Sequence, residues 1–193
     1  MFSRPFSASI NLNHLMKLKS MVALPICWKP CPFVCWKVIG WFCGVVCDAE
    51  ADPTHRWDSI RCRLDNASYV NVPTSPAADG LVIPPPENTL FPRFGIWIMP
   101  DNRSPGILEN FLEFLVPAED QLFSYTEQCV NHIPAGVRLF GEADRPKAKL
   151  HTWLAWQAEP GKPLGQSITK RVLRAESPSC QTVVNWIRRL YLA

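Results

Sequence analysis

The first 47 residues contain no acidic side chain, and the chain has no uninterrupted apolar run of about 20 residues. Five lysines and arginines precede Asp48, so the amino-terminal segment is basic although the whole chain carries a net charge of only +3. The most apolar stretch, residues 21–47, is interrupted by Lys29, Lys37 and three prolines. A membrane-spanning helix needs a longer run, so we expect no membrane partner.

Several catalytic motifs are also missing. Gly161 and Lys162 lack the spacing and the Ser or Thr of a phosphate-binding P-loop, and no G-x-S-x-G elbow is present. The four histidines show no metal-ligand spacing. These absences argue against P-loop NTPases, α/β-hydrolases and histidine-based zinc enzymes.

Cysteine is abundant but clustered, because five of the eight lie between Cys27 and Cys47. Zinc pairs usually have the tighter C-x2-C spacing and often include His, so metal binding by this cluster is the weaker interpretation. Reduced thiols of an intracellular protein explain the cluster better. We therefore expect a cytoplasmic location.

Two units of the same kind predict the fold class. Residues 38–47 and 94–99 are short apolar runs typical of buried strands, and each is followed by an acidic turn and a stretch of helical periodicity. This repetition predicts an α/β domain over residues 38–193, with a mostly parallel sheet flanked by helices and an edge strand at residues 80–83. Residues 1–37 have no clear period, and we expect an irregular, divergent segment that packs poorly.

Acidic residues follow both predicted strands, at the sheet edge where open α/β folds bind ligands. Asp48 and Glu50 come after the first strand, and Asp101 and Glu109 come after the second. Such carboxylates suit Mg²⁺, which needs only one or two of them. The alternatives are structural: Asp52 fits a helix N-cap before Pro53, and Ser104 and Pro105 fit the start of the next helix. In a helix that begins there, Glu109 and Glu113 lie on the side that faces solvent.

Several separated segments, in the same order, resemble a small bacterial Toprim-like family of unknown function. The resemblance runs from about residue 39 to the end, and it extends more distantly to the Toprim half of OLD-type nucleases. The matching segments are residues 45–52 (VVCDAEAD), 56–60 (RWDSI), 94–102 (FGIWIMPDN), 106–109 (GILE), 148–157 (AKLHTWLAWQ) and 159–165 (EPGKPLG).

The resemblance implies a Toprim fold that binds Mg²⁺ and performs phosphodiester chemistry of the nuclease type on nucleic acid. Asp48 then corresponds to the first Asp of the family's D-x-D pair, Glu50 stands at the second, and Asp101 and Glu109 assist. Lys149 and Lys162 are candidates for contacting phosphate. The family's early glutamate has no counterpart here, which leaves open a second interpretation, a degenerate Toprim-like module that binds a partner or nucleic acid without turnover.

Overall fold

The computed structural model describes residues 34–35 and 42–192. The strands are β1 (Val34–Cys35), β2 (Phe42–Asp48), β3 (Leu81–Ile83) and β4 (Arg93–Met99). The helices are α1 (Pro53–Asn66), α2 (Leu108–Glu113), α3 (Gln121–Asn131), α4 (Arg145–Ala155), α5 (Leu164–Thr169) and α6 (Pro178–Leu192), and a 3₁₀ turn at Glu142–Asp144 leads into α4.

The four strands form one sheet in the order β1-β2-β4-β3. β2 and β4 are parallel neighbours, with Val45 opposite Ile96 and Asp48 opposite Met99, which confirms the predicted parallel pair. The expectation of a mostly parallel sheet is wrong for the described strands, because β1 and β3 both pair antiparallel. A parallel connection needs a crossover of a dozen or more residues, and only residues 84–92 link β3 to β4.

Alternate side chains of β4 contribute to the apolar clusters on the two faces of the sheet. Phe94, Ile96 and Ile98 point into one apolar cluster, which α1 covers with residues such as Trp57. Trp97 belongs to the opposite cluster, which α2, α4 and α6 cover. Successive side chains of a strand point to opposite faces, and a strand covered on both faces reads as a continuous apolar run. The central pair is therefore held rigidly from both sides.

The structure changes one expectation about the amino-terminal segment and leaves others open. Val34–Cys35 lies within the stretch expected to be irregular, yet it pairs with β2. The predicted poor packing of the rest of residues 1–37 concerns residues outside the described part of the chain. Among the described helices, none has the length and apolar character required to cross a membrane.

Asp52 caps the amino terminus of α1, as the sequence suggested. Its Oδ1 accepts the backbone N–H groups of Thr54 and His55 at 2.9 and 3.1 Å. Asp52→Ala should therefore lower the free energy of unfolding by about 1 kcal/mol, because these donors lose their acceptor. Chemical denaturation measures the loss. Asp58→Ala, on the exposed face of the same helix, should change it by less than about 0.5 kcal/mol, and equal losses would contradict the cap.

Candidate metal-binding site at the carboxyl edge of the sheet

Asp48 ends β2 and connects it to the start of α2. Its Oδ1 accepts the backbone N–H of Leu108 at 3.0 Å, across 60 positions of sequence. Its Oδ2 has no hydrogen-bond partner among the described residues. Burial raises the pKa of Asp48, the Leu108 hydrogen bond partly opposes this, and the nearby charge of Glu109 raises it further. One carboxylate oxygen is thus fixed while the other remains available.

Glu109 lies in the first turn of α2 and is only 5% exposed. Among the described residues, it has no hydrogen-bond partner and no ion pair within 4.0 Å. The structural alternative, in which Glu109 lies on the solvated arc of its helix, is wrong, because α2 is packed between β4 and α4. A bound cation would supply the partner that this carboxylate lacks among the described residues. Glu109 is therefore the residue that most clearly indicates a ligand.

Lys147 supplies a positive charge beside this acidic pair. Its ammonium bonds Asp144 at 2.9 Å, and the charges of Glu109 and Asp48 also help to raise its pKa. Sequence analysis did not single out Lys147, which lies in the first turn of α4 because that helix begins at Arg145. Arg-Pro at that point is the signal that was available, since Pro favours the first turn of a helix.

Lys149, a candidate for contacting phosphate, is instead held by two carboxylates. Its Nζ lies 2.7 Å from Glu113 and 3.1 Å from Glu127. Glu113 was expected on the solvated arc of its helix, but its side chain is 18% exposed. Burial raises the pKa of Glu113, and the lysine partly opposes this. Glu113 is therefore a structural partner of α4 and is unsuitable as a neutral control position.

Glu50 lies in the turn after β2, with a positive φ of 58°. Its carboxylate pairs with Arg56 at 2.8 Å and is 57% exposed. Its backbone exchanges two hydrogen bonds with Gly106, at 2.9 and 2.7 Å, so the two acidic turns are joined. The charge of Glu50 contributes to raising the pKa of Asp48, which places Glu50 at the margin of the Asp48–Glu109 pair.

Asp101 organises its own loop. Its Oδ1 accepts the N–H groups of Arg103 and Ser104, and its Oδ2 accepts the Ser104 hydroxyl at 2.9 Å. Partial burial is outweighed by these bonds, and the pKa of Asp101 is held below its usual value. Because Ser104 is used in this turn, α2 begins at Leu108 and not at Ser104 and Pro105 as expected. A role for Asp101 as a metal ligand stays a prediction.

Asn102 is a further structural residue that the sequence interpretation did not identify. It is 2% exposed and adopts φ of 64°, a region that Asn tolerates better than most residues. Its Oδ1 accepts the N–H of Ile98 at 2.7 Å, and its Nδ2 donates to the carbonyl of Ala78 at 3.4 Å. These bonds fix the loop that follows β4 and so help to hold the acidic edge.

The predicted site residues are therefore brought together in part. Glu109 lies near enough for its charge to raise the pKa of Asp48, Glu50 lies at the margin of the two, and Asp101 is engaged by its own turn. Across the part of the chain that the structure describes, no three His, Cys, Asp or Glu side chains are grouped so as to hold a metal ion. The site consists of two carboxylates and one lysine.

The fold and site define a mixed α/β domain with two neighbouring acidic residues, the half-buried Asp48 and the buried Glu109, at the carboxyl edge of two parallel strands. The chain belongs to DUF3226, a family of proteins of unknown function, whose model matches residues 42–192. Neither a curated protein nor a solved structure matches the sequence.

Proposed function

We propose that this protein is a Toprim-like domain in which Asp48 and Glu109 bind Mg²⁺ for phosphodiester chemistry on nucleic acid. The observation that carries the proposal is Glu109, a carboxylate that is 5% exposed and has neither a hydrogen bond nor an ion pair among the described residues. A second carboxylate, Asp48, lies beside it at the edge where open α/β sheets bind ligands.

The residues fit the metal. Mg²⁺ prefers oxygen ligands and commonly uses one or two carboxylates, with water and substrate phosphate completing its shell. Asp48 offers its Oδ2 and Glu109 its carboxylate, and Glu50 can hold a metal-bound water through its exposed side chain. When bound, Mg²⁺ supplies an activated water and stabilises negative charge on the phosphate.

The chain's own residues then have distinct roles. The Leu108 N–H orients Asp48 by holding its Oδ1. Lys147 is already attracted by both acids and can turn its ammonium toward a phosphate oxygen, since its bond to Asp144 is exposed to solvent. Lysine binds phosphate as a point charge.

A catalytically degenerate binding module is the second candidate. It is favoured by the engagement of Asp101 in its own loop and of Glu50 with Arg56, which leaves two carboxylates where a nuclease site of this kind uses more. In that case nucleic acid binds near Lys147 and is not cleaved.

A cleavage assay separates the two functions. Single-stranded DNA, duplex DNA and RNA are incubated with the parent protein and Mg²⁺ or Mn²⁺. We expect metal-dependent cleavage of at least one, and a loss of about 100-fold or more in Glu109→Gln, equivalent to about 2.7 kcal/mol of transition-state stabilisation.

Asp58→Asn, an exposed change on α1, should leave cleavage unchanged. Binding of nucleic acid without cleavage in either metal would reject the enzyme and support the degenerate module. Equal cleavage by the parent and Glu109→Gln would show that another site, or a contaminant, is responsible.

A further inference from the structure

A cavity of about 210 Å³, with both apolar and polar side chains in its lining, lies between the end of α4 and α5. Its polar lining includes Gln157, Glu159, Lys162, Gln166, Ser167 and Lys170. It contains part of the Glu-Pro-Gly-Lys-Pro-Leu-Gly segment, to which the proposed metal chemistry gives no role. We propose that this cavity binds a phosphate group, either as free phosphate or as the end of a small phosphomonoester.

The charges of the cavity favour an anion. Lys162 and Lys170 contribute two positive charges and Glu159 one negative charge, so the lining carries a net charge of +1. Glu159 pairs with Lys162 at 3.4 Å and also with Lys170. Each ammonium has three donors, so both lysines can bond a ligand oxygen while a single carboxylate satisfies only part of their capacity.

Ser167 is the second, independent observation. It is 3% exposed, lines the cavity, and its hydroxyl has no hydrogen-bond partner among the described residues. A hydroxyl without a protein partner at the wall of the cavity is available to donate to a ligand oxygen. The exposed amide of Gln166, which is likewise without a described partner, adds a fourth donor group.

Size and donor number point to phosphate among small anions. The cavity has room for about seven waters at ~30 Å³ each, enough for a tetrahedral oxyanion. It is smaller than the ~300 Å³ or more of most sites that enclose a drug-sized ligand. Two ammoniums, one hydroxyl and one amide match the several oxygens of phosphate better than the two of a carboxylate.

Glu159 acts as an internal competitor in this arrangement. Its carboxylate occupies the lysines in the ligand-free protein, and the hydrogen bonds from Lys170 and Lys162 hold its pKa below the usual value. An incoming phosphate must displace it or share the lysines with it. Glu159→Gln should therefore tighten phosphate binding, whereas removing one of the donor side chains of the cavity should weaken it.

Isothermal titration calorimetry with inorganic phosphate, in chloride buffer with EDTA, tests the proposal independently of the metal site. We expect saturable one-site binding to the parent protein. Lys162→Gln, Lys170→Gln and Ser167→Ala should each weaken it about tenfold, as expected for losing one hydrogen bond to a charged group. Glu159→Gln should tighten it. Thermal melting of each variant verifies that it is folded.

Arg61→Gln removes one positive charge on α1 and is the matched control. If Arg61→Gln binds phosphate as tightly as the parent protein and the cavity variants bind it more weakly, the result supports phosphate binding in the cavity. No measurable binding to the parent, or an equal loss in Arg61→Gln, would overturn it. Glycerol 3-phosphate titrated in parallel distinguishes the two sources, because tighter binding than inorganic phosphate identifies a phosphomonoester and weaker binding identifies free phosphate.

Discussion

Alanine in place of Trp186 is expected to lower the free energy of unfolding by about 3–5 kcal/mol. The indole is 1% exposed, its ring centroid lies 5.8 Å from that of Trp97, and its Nε1 donates to the carbonyl of Leu81 at 2.9 Å. Trp186 thus joins α6 to both β3 and β4. Its loss leaves a cavity and an unpaired carbonyl, and guanidinium denaturation measures both effects together.

Gly80 provides an internal check on this prediction. It has φ of +82°, and a Cβ at this position would lie 2.4 Å from Cδ1 of Trp186. Gly80→Ala should therefore destabilise the fold, both through the backbone conformation and through this clash. In the double variant with Trp186→Ala the clash with that indole disappears, while the 2.9 Å approach to Cε3 of Trp97 and the strained backbone remain. The combined loss should therefore be smaller than the sum of the two single losses.

Trp156→Ala is the matched control, because that indole is 42% exposed at the end of α4. Its cost should be clearly below that of Trp186→Ala. A comparable cost, or strict additivity of the Gly80 and Trp186 changes, would contradict the packing of α6 on the sheet.

The elements that the sequence predicted well are those with a strong local pattern. β2 and β4 are apolar runs bounded by turn residues, and their parallel pairing followed from the repeated strand, turn and helix. The buried face of α6, which includes Trp186, likewise has the spacing of an amphipathic helix. The antiparallel edge strands were not predicted in direction, because pairing direction depends on connection length and on neighbours distant in sequence.

The site was predicted less completely, for a similar reason. Asp48 could be placed because it directly follows a strand. The burial of Glu109 depends on how α2 packs against α4, and the position of Lys147 depends on where α4 begins. The bond from Leu108 to Asp48 joins residues 60 positions apart. Such contacts leave no periodic signal in the sequence.

Mg²⁺ is expected to stabilise the parent protein, and Asp48→Asn is expected to abolish that stabilisation. At 100 times the dissociation constant, a ligand that binds only the folded state adds about 2.7 kcal/mol, which corresponds to roughly 5–10 °C in melting temperature for a domain of this size. The asparagine keeps an oxygen to accept the Leu108 N–H but loses the charge that binds the cation.

The melting temperature of Asp48→Asn without added metal gives a second readout of the same site. Asp48 carries charge beside Glu109 in a partly buried place, and their repulsion contributes to raising the pKa of Asp48. Removing one charge should leave the metal-free melting temperature unchanged or higher, so loss of the Mg²⁺ effect is not explained by misfolding.

Asp58→Asn, exposed on α1, should retain the full Mg²⁺ shift. A parent melting temperature indifferent to both Mg²⁺ and Mn²⁺ would reject the metal site and favour the degenerate binding module.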